Sequence, residues 1–192
     1  MRSSARKIKY TQETLAKLHT VDFWKALNPD LTISDFPFRQ VSTLSVPSVE
    51  SDKALQQMRL DGYFELNSVL SRVDCGRLAA AINRLDEQGF PPFFAYVYDE
   101  FWQAFKSIAP VITPMLGENY CILDNQMAWY IRPSDTEGGF APHRDGAGID
   151  YDNLPRNSPI HRDGLPWFAT IWIALTDVST SNFCMYVCIT KQ

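Results

Sequence analysis

His-Arg-Asp occurs twice within a short stretch of this sequence, as His143-Arg144-Asp145 and His161-Arg162-Asp163. On an extended backbone, side chains at i and i+2 project to the same face. His143 and Asp145 would then present an imidazole and a carboxylate side by side. Arg144 would point away from them, toward an ion pair. One imidazole and one carboxylate are two-thirds of the two-histidine, one-carboxylate set that holds Fe(II) and leaves positions open for a co-substrate and O₂. The pair alone does not fix that chemistry, because His-x-Asp also arises as a surface salt bridge or a turn feature. A protein-kinase catalytic loop is excluded. It needs Asn five residues after its Asp, and those positions are Asp150 and Phe168.

The elements that must position these residues differ along the chain. Residues 1–50 read as a peripheral segment, with a short helix behind Thr11 over "TQETLAKL" and a Pro-broken loop over "NPDLTISDFPF". A short strand is expected over Gly62 to Leu66. A helix should follow near Asp74 as N-cap, with Leu78, Ile82 and Leu85 on one face and Gly89 at its C-terminal stop. A second helix is expected over "VYDEFWQAFKSIAP", with Phe101, Phe105 and Ile108 on one face and Pro110 ending it. Beyond Pro114 the texture turns to strands: "YCILDNQMAWYIRP", "PWFATIWIALTDV" and "FCMYVCI" are rich in aromatic and β-branched residues. Helices first and strands later predict an α+β fold with a mainly antiparallel sheet. A polar, Gly/Pro-rich loop from Ser134 to Pro166 carries both His-Arg-Asp copies.

Composition narrows the function classes. The net charge of −4 gives no electrostatic case for nucleic acid or an anionic membrane. The basic start lacks the apolar run of a signal peptide, and no stretch has the length of a membrane span, so a cytoplasmic location is expected. Cys184-x-x-x-Cys188 has no second pair to complete a zinc site, and the four cysteines are expected to be buried thiols. Aromatic residues crowd between Phe90 and Phe105 and between Trp167 and Trp172, as a deep core or a lined cavity would require.

From about Leu60 to Val187 the order of segments resembles the phytanoyl-CoA dioxygenase family of Fe(II)/2-oxoglutarate oxygenases. The resemblance is carried by "DGYFELNSVLS…LAAAINRL", "GGFAPHRDGAG", Trp172-Ile173-Ala174-Leu175-Thr176-Asp177 and Asn182-Phe183-Cys184-Met185. It implies N-terminal helices packed on an incomplete double-stranded β-helix, a jelly-roll or cupin-like core, with residues 51–192 forming a partial oxygenase domain. It implies that His143 and Asp145 are the metal ligands, and that a carboxylate at 145 favours hydroxylation over halogenation. It places Asp163 in the turn before the Trp172 strand and His161 in a variable loop. It also assigns Gln126 and Trp172 to 2-oxoglutarate, a role that competes with plain core packing. For Asn182 the plain reading is that it stabilises the turn in which it stands.

Fe(II), 2-oxoglutarate as co-substrate, ascorbate as a reductant and a small organic substrate follow from the resemblance. Two departures accompany it. The family's third ligand, a later histidine, and its 2-oxoglutarate-binding arginine have no counterpart before Gln192, and Phe183 stands where the family has glycine. The expectation is a truncated chain of weak or no activity, with His161 a candidate substitute ligand. The competing expectation is an inactive fragment or a non-catalytic binding module.

Overall fold

The computed structural model describes residues 10–34, 48–123, 126–132, 135, 142–143 and 168–188. Its helices start where side chains satisfy the unpaired first-turn amides. Thr11 is extended (φ −69°, ψ 159°) and its Oγ1 accepts from the Thr14 amide at 3.1 Å, which opens α1 (Gln12–Leu18). Then follow α2 (Val21–Leu27), α3 (Ser48–Asp61), α4 (Arg72–Glu87), a 3₁₀ segment (Pro92–Val97), α5 (Asp99–Lys106) and α6 (Ala109–Leu116).

The N-cap of α4 is Ser71 rather than Asp74. Ser71 Oγ accepts from the Asp74 amide at 3.0 Å and donates to the Asp74 carboxylate at 2.6 Å. Asp74 sits in the first turn, where a carboxylate also suits the positive end of the helix dipole. The C-terminus ends as expected on Gly89, whose φ of +75° only glycine adopts without strain. Its amide donates to the Asp86 carbonyl at 2.9 Å, and the Phe90 amide donates to the Leu85 carbonyl at 2.8 Å. These are the paired bonds of a Schellman stop, and they carry Phe90 back onto the helix.

Pro110 opens a helix instead of ending one. It lies at the start of α6, where a missing N–H costs nothing because the first-turn amides have no helical partner. The preceding helix α5 has already ended at Lys106, with the Ser107 amide bonded to the Gln103 carbonyl at 3.0 Å.

The main core forms where α4 packs on the 3₁₀ segment. Leu78, Ala81, Ile82 and Leu85 of α4 meet Phe90, Ala95, Tyr98 and Phe101. Residues 10–34, set at the periphery by the sequence reading, place Trp24 and Leu31 in this same core. The Trp24 ring stacks on Phe94 with centroids 5.2 Å apart, and Phe23 meets Phe90 edge-on at 5.7 Å. A second, smaller core joins α3 to α6 through Ile108, Ile112 and Met115, with Leu55 and Met58 against them.

Polar contacts clamp the Asn28–Ser34 stretch to α4 and α5. Arg84 donates to Asn28 Oδ1 at 2.9 Å and to Asp30 Oδ1 at 2.7 Å. Arg77 donates to the Asp30 carbonyl at 2.7 Å. The Glu100 carboxylate takes the Thr32 amide on both oxygens, at 3.0 and 2.9 Å, and the Asp99 amide donates to the Thr32 carbonyl at 2.9 Å. Burial pushes the Asp30 carboxyl up, but the hydrogen bond and charge of Arg84, with Arg77 beside it, outweigh this and hold it below its ordinary value.

The expected α+β fold with a double-stranded β-helix core is not what forms. Among the described residues there are helices but no strand, sheet or barrel. Gly62, expected to begin a strand, instead closes α3: its φ is +77° and its amide donates to the Met58 carbonyl at 3.0 Å. In the later segments the alternation is present without the ladder. Ala128, Tyr130, Ile173 and Leu175 pack on the main core, while Met127, Trp129 and Trp172 remain substantially exposed. Alternation decides which side chains face inward, but a sheet also needs a neighbouring strand in register, about 4.8 Å away. The cysteines also depart from expectation: Cys121 and Cys188 are exposed, and Cys75 and Cys184 are half-buried. No helix among the described residues is long and apolar enough to cross a membrane.

Leu85 is fully buried at the centre of the α4 packing. Leu85→Ala is expected to lower unfolding stability by about 2–5 kcal/mol, read from the urea midpoint. Asp30, with its lowered carboxyl, stabilises the fold fully above the ordinary value of 3.8 and loses that contribution as pH falls through its native value. Asp30→Asn should therefore cost stability at neutral pH, by less than about 1 kcal/mol for so exposed a pair. The difference from the parent should vanish in acid, as urea titrations at two pH values would show.

Candidate functional site

The residues that the sequence nominates do not all fall on described backbone. His143 is described and exposed. Asp145, Arg144, His161 and Asp163 lie outside the described residues, so the i, i+2 geometry of the metal pair does too. Among the described residues no group of three or more His, Cys, Asp and Glu side chains could hold a metal ion. One described imidazole does not make an iron site, and the donor set for Fe(II) is not assembled by the residues on view.

Gln126 and Trp172 are both described, in different surroundings. Trp172 lies on an extended segment whose neighbours Ile173 and Leu175 pack on the main core, and it is itself 44% exposed. Gln126 is half-buried and donates from its side-chain amide to the Leu123 carbonyl. It lines a cleft of about 230 Å³ between residues 91–93 and residues 126–129. Neither His143 nor Trp172 lines this cleft.

The cleft walls are well tied. Tyr96, on the 3₁₀ segment, donates from its hydroxyl to the Met127 carbonyl at 3.0 Å. Trp102 in turn donates from its indole to the Tyr96 carbonyl at 2.8 Å. Ala128 packs on the main core from the opposite wall. No described lining side chain is charged. A carboxylate is recognised by a guanidinium, an ammonium or several aimed N–H donors, and the described lining around Gln126 holds neither a guanidinium nor an ammonium. The nearest described guanidinium in sequence, Arg132, is engaged elsewhere. It is hydrogen-bonded to Asp86, whose carboxylate holds it above its ordinary value, and it lies 5.5 Å from the Tyr130 ring centroid.

Sequence reasoning missed this cleft as a site. The signal was the aromatic density after Phe90, which also served the core: Phe90 and Phe94 turn inward, while Phe93 is half-exposed at the cleft. Only the 3₁₀ path of residues 92–97 separates those destinations.

Asn182 stabilises its turn, as the plain structural reading of the residue expected. Its Oδ1 accepts from the Ser179 amide at 2.6 Å, and its Nδ2 donates to the Asp177 carbonyl at 2.8 Å. Phe183, where glycine was expected, is held at φ +63°. A left-handed backbone costs an ordinary residue roughly 1–2 kcal/mol, and the Asn182 bonds on the preceding residue offset part of that. Asn182→Ala should therefore speed exchange of the Ser179 amide about fivefold, the loss of about 1 kcal/mol of hydrogen bonding. Asn182→Asp keeps the acceptor and should fall between the two.

No protein-family model, curated protein or solved structure matches the chain.

Proposed function

We propose that the chain is a relative of the Fe(II)/2-oxoglutarate oxygenases of the phytanoyl-CoA dioxygenase type, acting on a small organic substrate. The observation that supports this is the order of three segments along the chain: His143-x-Asp145, then Trp172 through Asp177, then the turn at Asn182. In this reading His143 and Asp145 hold the metal, and Fe(II) when bound supplies oxidation of the substrate by O₂ with 2-oxoglutarate as co-substrate and ascorbate as reductant. A cytoplasmic protein acting on a small molecule is consistent with the net charge of −4, which disfavours polyanionic partners.

A second reading, a binding module without turnover, is favoured by the uncharged lining beside Gln126 and by the supply of histidines. The sequence holds three, and His19 is the C-cap of α1. The two readings separate in one assay. Succinate released from 2-oxoglutarate with Fe(II) and ascorbate is expected at a low, uncoupled rate. His143→Ala should reduce it by more than about 100-fold, since even outer-shell partners of a metal are worth 10- to 100-fold. No succinate from a folded chain, or a rate indifferent to His143→Ala, would favour the binding module.

A further inference from the structure

We draw no further inference here: the strongest candidate, the apolar surface of residues 168–188 on which Trp172, Phe183, Met185 and Tyr186 are exposed, carries none because nothing in the structure shows what covers it.

Discussion

The described structure depends on the burial of one face of α4. Leu78, Ala81, Ile82 and Leu85 have to be covered, and no single neighbouring element covers them. Trp24 and Leu31 arrive from the N-terminal side, and Phe90, Ala95, Tyr98 and Phe101 from the C-terminal side. The Schellman stop at Gly89 makes the second half of this possible. It reverses the chain within two residues, so Phe90 returns to the helix it has just left. Burial of an aliphatic or aromatic side chain contributes roughly 1.5–3 kcal/mol. Several such residues converging on one helix outweigh any individual surface ion pair in the protein.

The polar contacts answer a different need. The chain from Asn28 to Ser34 is irregular, so its amides and carbonyls lack helical partners. Arg77, Asp99 and Glu100 supply them from two helices, and Arg84 adds bonds to the Asn28 and Asp30 side chains. Tyr98 adds a hydroxyl bond to the Trp24 carbonyl at 2.9 Å, inside the core. These bonds matter less for their net energy than for the cost of leaving the same groups unsatisfied. They also explain how a stretch that looks like a peripheral loop delivers Leu31 to the core.

The same economy of aromatic residues shapes the cleft. Within the 3₁₀ segment three residues per turn put Phe93 and Tyr96 on one side and Phe94 on another. Phe90 and Phe94 go to the core, Tyr96 bridges the cleft walls, and Phe93 rims the opening. The cleft is thus a by-product of core packing, and its described lining is apolar and uncharged. An apolar lining sets the cleft apart from the proposed metal pair at His143 and Asp145, whose donor types suit iron.

Local signals in the sequence determined the start of α1 and the inward face and stop of α4. Thr11 caps α1, the Leu78, Ile82 and Leu85 stripe lies inward, and Gly89 ends α4, because capping and 3.6-residue periodicity act within a few residues of one another. The sequence equally marked His143, Asp145, Gln126, Trp172 and Asn182 by type and order, and for Asn182 the short-range turn bonds follow directly. What depended on distant partners was not legible in this way. The segments at 126–132 and 168–176 have strand-like alternation, and the alternation does orient them, yet a ladder requires a second strand that no local pattern can specify. Pro110 reads as a stop or a start according to which helix it adjoins, and only the packing of α6 on α3 decides that. The cleft belongs to the same class. Its two walls are about thirty residues apart in sequence, and the Tyr96 hydroxyl that joins them finds its carbonyl only once the core has brought them together.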